Sequence, residues 1–314
     1  MKVLFDGQFD YPDTNYYFYD WQDFEDGNMN LLYVYGIYGK DLPPGYKNRI
    51  YFNAEEPNGL YHSGVFLHER QLNGKYISND WTKIYQLCPY STRWLRDVIG
   101  DKRYDFLGHL PICSKKYYPD VTQPKIYDMF YQGSIHSGEI SSALDIMKNY
   151  KYVWTSLSDA PDARKTHYKL PFVQKLQLQA QCKITVELNS LYEPYPGAFI
   201  RNVSRLPHWK SNEAFSHVEF GIMPQFKTRV LEDMLCKTLI LAKKNEWKLM
   251  EEFGFVEGEH FIYFDSMDQL PMLINDCLNN SEYCEKITEN AYRKVIAENS
   301  IEAVFNKYLQ PYNV

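Results

Sequence analysis

The sequence is short of the features that mark several protein classes. No apolar run reaches the ~18 residues that a helix needs to cross a bilayer, and no basic amphipathic stretch suggests a helix lying on a membrane surface. The opening, MKVLFDGQFDYPD, turns acidic too soon for a secretory leader. These absences set the expectation of a soluble, cytoplasmic chain. Cysteine is scattered: Cys88, Cys113, Cys182, Cys236, Cys277 and Cys284 form no CxxC pair. That spacing excludes a zinc ribbon and a dense disulfide framework, and it is the pattern of reduced thiols. Positive charge is in deficit, with 34 Lys and Arg against 40 Asp and Glu and a net charge of −6. A general nucleic-acid binder carries a basic excess, so no nucleic-acid partner is expected, although a local cationic pocket remains compatible with the balance. Repeats and low-complexity segments are absent, and the glycosylation sequons at Asn202 and Asn279 carry no weight without a secretory route.

What is present suits a large folded core. Apolar residues make up 45% of the 314 and charged residues 24%, which argues against disorder. The length fits two domains at ~150 residues each. Aromatics reach 17%, with 28 tyrosines. Such rings line carbohydrate sites by stacking on sugar C–H faces, and they serve ordinary packing equally well.

Apolar runs and turn residues alternate along the chain. MKVLFDG, NLLYVYGIYG and RIYFNAEEPN read as three strands, the last stopped at Pro57-Asn58-Gly59. A strand over Ile84–Leu87, a short helix over Thr92–Ile99 and a strand in YDFLGHLPI follow. YYPDVTQPKIYD, with two prolines, reads as a linker. A second series then begins with strand, turn and helix in IYDMFYQGSIHSGEISSALDIMKNY. Further strands are expected in YKYVWTSL, near Ile184–Leu188, over Thr238–Ala242 and over His260–Phe264, with helix from there to near the end. Strands alternating with helices predict an α/β fold. The expected organisation is two Rossmann-like halves, residues 1–122 and 123–295, facing a cleft, with a helical tail at 296–314 placed to return to the N-terminal half. Ligands of open α/β sheets sit beyond the carboxyl ends of the strands.

One stretch concentrates chemistry: FKTRVLEDMLCKTLILAK, residues 226–243. A helix starting there would present unpaired N–H groups and a partial positive charge to a phosphate. Lys227 would add a point charge and Arg229 a planar fork for two phosphate oxygens, with Thr228 between them at the helix start. Glu232 lies one turn after Arg229 on much the same face, and a carboxylate there accepts hydrogen bonds from a ribose diol. Cation, helix start and acid describe a nucleoside diphosphate at the helix end. The same pattern also describes a plain surface helix, capped by Thr228, with an Arg229–Glu232 pair outside and Leu231, Met234 and Leu235 in the core.

FGIMPQFKTRVLEDMLCKTLILAK resembles the donor-binding segment of GT-B glycosyltransferases, a pattern written roughly R-x-x-E-A-x-A-x-G ahead of an apolar strand. Arg229 and Glu232 match its arginine and acid, whereas Lys237 stands where glycine is usual. FYQGSIHSGEI resembles the first strand and loop of that family's C-terminal half, and FIYFDSMDQLPMLINDCLNN its later strand, Asp-Ser turn and helix. The resemblance covers about Lys125–Leu309. It implies a GT-B-like pair of domains and a nucleoside diphosphate sugar, of GDP or UDP type, as donor substrate. It also implies no cofactor and no metal, since cations and a helix dipole stabilise the leaving group and no DxD-type motif stands where it would serve. Lys227 and Arg229 would neutralise the diphosphate, with Thr228 beside them, and Glu232 would hold the ribose. Gly133 and Ser134 would lie near the phosphates, where a small residue permits close backbone approach. His136 is a lesser candidate for donor or acceptor contact. ELNSLYEPYPG, residues 187–197, is either a wall of the base or sugar pocket or a proline-rich surface loop.

An inverting transferase also needs a general base near the acceptor hydroxyl. Asp10, Glu55, Glu56, His62 and Asp80 are placed for it after N-terminal strands. Glu55 and Glu56, in FNAEEPN, come first, and that stretch faintly resembles an acid-containing segment of fucosyltransferase N-terminal domains. The aromatic stretch GQFDYPDTNYYFYDW is placed to line an acceptor site or to pack between the halves. The expected activity is transfer of a sugar from a nucleoside diphosphate donor to a hydroxyl of a glycan or other acceptor. The alternatives are a non-catalytic nucleotide- or glycan-binding protein on the same scaffold and a GT-B-like nucleotide-sugar epimerase.

Overall fold

The structure, a computed structural model, describes residues 2–5, 31–35, 47–53, 71–72, 75–76, 81–113, 115–193 and 195–312. Within them the chain forms β1 (Lys2–Phe5), β2 (Leu31–Tyr35), β3 (Asn48–Asn53), a small antiparallel hairpin of β4 (Gln71–Leu72) and β5 (Lys75–Tyr76), β6 (Lys83–Gln86) and β7 (Tyr104–Phe106). Strands β1, β2, β3, β6 and β7 pair in that order as one parallel sheet. The second half contributes β8 (Tyr127–Gln132), β9 (Tyr152–Ser156), β10 (His167–Tyr168), β11 (Cys182–Glu187), the antiparallel pair β12 (Ser190–Tyr192) and β13 (Ile222–Pro224), β14 (Leu239–Lys243) and β15 (Ile262–Phe264). Its parallel sheet has the order β10-β9-β8-β11-β14-β15. The chain runs outward from β8 to β10, then crosses back to the other side of β8 for β11 onward. This is the doubly wound order, with its reversal between β8 and β11.

Local chemistry explains these elements. Ile184–Glu187 and Leu239–Ala242 are buried throughout, as expected for parallel strands covered on both faces by helices. The helix Gly138–Met147 starts where the Ser137 side chain accepts from the Ile140 N–H at 3.2 Å, with Glu139 in its first turn. The helix expected over Thr92–Ile99 starts earlier, at Pro89, and passes at Trp94 into a wide turn ending at Val98. Proline at the first position has its φ preset for a helix and no N–H to leave unpaired.

The carboxyl ends of the two sheets meet. Arg93, after β6, donates to Glu252, after β14, at 3.0 Å, and the Tyr90 hydroxyl donates to the Trp247 carbonyl. Phe52, Tyr85 and Leu107 share one core with Phe226, Val230 and Leu231 of the second half.

The segment beyond the long helix Ser281–Asn299 crosses back to the first sheet. Asn299 Nδ2 donates to the Leu110 carbonyl at 2.9 Å, and the Asn299 carbonyl accepts from Ile112 N at 3.1 Å. Tyr308 packs edge-on against Phe52 and Tyr85, with ring centroids 5.8 and 4.8 Å away. Asn48 Nδ2 donates to the Tyr312 carbonyl at 2.8 Å. Asn299 is 3% exposed, so Asn299→Ala strands the Leu110 carbonyl away from water. The expected loss is about 1–3 kcal/mol of folding free energy, measurable by urea denaturation.

Candidate functional site

The crevice at the reversal point lies between the ends of β8 and β11. Gly133 follows β8 with φ +136°, and a Cβ added there would stand 2.6 Å from Arg229 Nη1. Backbone and space therefore both require glycine. Glu187 ends β11 with its side chain 1% exposed. Arg229 opens the helix Arg229–Leu235 and reaches into the gap between the two strand ends. Its Nε donates to Glu187 Oε1 at 2.5 Å, and its Nη1 donates to the Gln132 carbonyl. The guanidinium sits 5.1 Å from the Tyr131 ring centroid. One side chain thus ties together the two strands that frame the crevice.

Charges around this tie are strongly perturbed. Burial pushes the Glu187 carboxyl up, and the Arg229 charge only partly opposes it. Burial works against the Arg229 charge, but the Glu187 carboxylate outweighs it and holds the guanidinium protonated. Asp233, on the same helix, is pushed well up by burial and then by Glu187, and it accepts from Gln179 Nε2. His136, in the loop after Gly133, is pushed down by burial and then by the positive charges of Lys227 and Arg229. His136, Lys227 and Arg229 therefore share one positive neighbourhood in a chain of net charge −6.

The other expected residues take these places. Ser134 Oγ lies 3.3 Å from Ser156 Oγ, and the Gly133 carbonyl accepts from Trp154 Nε1 at 2.9 Å. Lys227 Nζ donates to Gln225 Oε1, and its backbone N–H donates to Asn189 Oδ1 at 3.4 Å. Thr228 does not cap the helix: it has helical angles and its side chain makes no capping bond. The N–H groups of Val230 and Leu231 close tight turns onto the carbonyls of Lys227 and Thr228, both at 3.0 Å. Part of the donor set expected at the helix start is thereby used by the chain itself. Arg229 and Glu232, expected on one face, turn to different partners. Glu232 Oε2 accepts from Lys175 Nζ at 2.7 Å, and Lys175 is only 3% exposed. Lys237 holds a left-handed φ of +51°, the conformation that glycine would supply at little cost, and its Nζ pairs with Glu289 at 2.7 Å. Glu55 and Glu56, with Asp10, His62 and Asp80, lie outside the described residues. Among the described residues no group of three His, Cys, Asp or Glu could hold a metal ion, and no helix is long and apolar enough to cross a membrane.

Gly133→Ala puts a side chain into a disfavoured backbone region and against Arg229. It is expected to lower stability by about 1–3 kcal/mol, read as a drop in the urea midpoint.

Comparison with known proteins bears on both halves. Residues 167–310 match the family model described as glycosyl transferase-like. No curated protein matches the sequence. Among solved structures, HepE of Anabaena in complex with UDP-glucose has a TM-score of 0.52 at 12% identity, covering 88% of this chain and 77% of its own. Sucrose-phosphate synthase of Thermosynechococcus elongatus has a TM-score of 0.51 at 12% identity, with 90% and 73% covered. A glycosyltransferase of Rickettsia africae has a TM-score of 0.50 at 10% identity, with 90% and 76% covered. Identities this low report the fold, and that fold spans both sheets. The chain has the GT-B fold of these glycosyltransferases, and its residues 167–310 are similar to the glycosyl transferase-like family.

Proposed function

We propose that the protein transfers a sugar from a nucleoside diphosphate sugar to a hydroxyl of a glycan or other acceptor. The observation that carries this reading is the positive crevice at the β8/β11 reversal, where Arg229 joins Gln132 and Glu187 and Lys227 stands near His136. The complex of HepE with UDP-glucose favours UDP over GDP as the donor type. In this reading Lys227 exchanges its neutral partner Gln225 for a phosphate oxygen, because a charge-assisted bond is the stronger one. Arg229, tied to both strand ends, supplies fixed positive charge to the leaving diphosphate rather than a mobile arm. Gly133 and Ser134 bring the β8 loop to the phosphates. Glu232 keeps Oε2 on Lys175 and offers Oε1 to the ribose. The bond from the sugar's anomeric carbon to the diphosphate breaks as the bond to the acceptor oxygen forms. Glu55 or Glu56 takes the acceptor proton.

Titration calorimetry with UDP and GDP tests the donor site. Lys227→Gln is expected to weaken UDP binding roughly tenfold, the worth of one charged hydrogen bond. Equal UDP affinity in the two proteins removes Lys227 from the site. Consumption of UDP-sugar, with and without glycan acceptors, separates the remaining readings. Turnover only with acceptor supports the transferase, conversion of donor alone supports an epimerase, and binding with no turnover supports a non-catalytic binder.

A further inference from the structure

A second cavity, of about 650 Å³, opens where the first sheet, the loop at Glu252–Gly254 and the tail converge. It is separate from the crevice at Gly133, and no step proposed above uses it. Its walls are aromatic: Tyr85, Phe106, Phe253 and Tyr308. Phe106 and Phe253 meet edge-on at 5.0 Å across the two halves. Its volume falls within the ~300–1,000 Å³ range of small-molecule sites.

All but one of the charged groups on its rim are paired. Three carboxylates line it, and each is already engaged by a cation. Asp105 pairs with Lys83 at 3.2 Å, Glu252 with Arg93 at 3.0 Å and Glu298 with Lys294 at 2.7 Å. Lys307 also lines the cavity and makes no ion pair among the described residues. His109 stands beside it: burial pushes the imidazole down, and the Lys307 charge pushes it further. His109 Nδ1 is 3.6 Å from Glu298 Oε2, on the carboxylate that Lys294 already holds. Lys307, from the tail, is thus the one charged group of the lining that no ion pair occupies among the described residues.

We propose that this cavity is a second ligand site, for a small hydroxylated ring compound bearing a phosphate or a carboxylate. Lys307 would meet the anion, with His109 beside it. The aromatic walls would take the ring faces, and the many polar groups fit a hydroxylated body better than a hydrophobe. Since the walls come from both halves and the tail, an occupant would clamp the halves together from a place distinct from the donor crevice.

The test uses glucose 6-phosphate, glucuronate and glucose as probes, by thermal shift and titration calorimetry, on the full chain and on Lys307→Gln and Lys227→Gln variants. Lys307 is exposed, so its replacement leaves the core intact, and an unchanged urea midpoint verifies this. One or both anions should raise the melting temperature in a concentration-dependent way, and glucose should not. The stronger anion identifies whether phosphate or carboxylate is preferred. Lys307→Gln should weaken the anion roughly tenfold or more while leaving UDP affinity within about twofold, and Lys227→Gln should leave the anion within about twofold. No response by the wild type, equal responses to glucose and the anions, or a loss that follows Lys227 instead of Lys307 would each overturn the proposal.

Discussion

Arg229→Ala is expected to lower the folding free energy by about 3–5 kcal/mol, because removing one partner of a buried pair leaves the other charge uncompensated. Glu187 is that partner, 1% exposed, and the Gln132 carbonyl loses its donor in the same change. The deficit should depend on pH in a definite direction. Burial already raises the Glu187 carboxyl above its ordinary value of 4.5, and losing Arg229 raises it further. A carboxyl raised in the folded state keeps a proton that the unfolded chain has released. Stability therefore falls as pH rises above about 4.5, through the window up to the folded-state pKa. Urea melts at pH 5 and pH 8 should show the larger gap between Arg229→Ala and wild type at pH 8. Adding Glu187→Gln should recover much of the loss, since no charge is then buried alone. An equal gap at both pH values, or no recovery in the double variant, would show that Arg229 is not the counter-charge of Glu187. In the same variants, UDP affinity is expected to drop by about 1.5–3 kcal/mol even where stability has been recovered, which separates the charge offered to the donor from the charge that holds the strands.

Tyr308→Ala is expected to cost about 3–5 kcal/mol, the usual range for truncating a buried aromatic to alanine. Tyr308 is 5% exposed and fills the space between Phe52 and Tyr85 of the first sheet. Its hydroxyl also accepts from His109 N at 3.1 Å. Tyr308→Phe keeps the ring and should lose only about 1 kcal/mol, the net worth of one hydrogen bond. Comparing the two urea midpoints separates packing from the hydroxyl. Similar losses in both would mean that the tail is held by polar contacts rather than by its ring.

The fold was legible wherever burial alone sets the pattern. Leu239–Ala242 is buried on both faces, and an uninterrupted apolar run announced it. β10 and β12 were not foreseen, because strands of two and three residues leave no periodicity to read. At the candidate site, Arg229 and Gly133 stood out in the sequence as residue types, but their partners did not. The sequence spacing of Arg229 and Glu232 places them on one face, yet long side chains go where desolvated opposite charge is available. Glu187 lies 42 positions and Lys175 57 positions from the residues they pair with, distances over which spacing says nothing. A signal did exist for Glu187: an acid ending an apolar strand is costly to bury unless a cation meets it. The capping role that the plain-helix alternative gave Thr228 is absent because the chain tightens just before the helix, giving its first N–H groups to backbone carbonyls.

The return of the tail to the first sheet also bears on how the chain reaches its fold. Asn48 bonds a carbonyl 264 positions away, and Asn299 bonds one 189 positions away. Contacts this distant cannot form until the intervening chain has been brought together, and closing such loops costs entropy before any packing is gained. The first sheet is therefore expected to complete its core late, once a segment from the other end of the chain has docked. Until that segment arrives, the faces of Phe52 and Tyr85 that Tyr308 covers stay open to water and to other chains. Supplying residues 281–312 as a separate peptide to the shortened chain should restore the native fold in trans, with a rate that grows with peptide concentration.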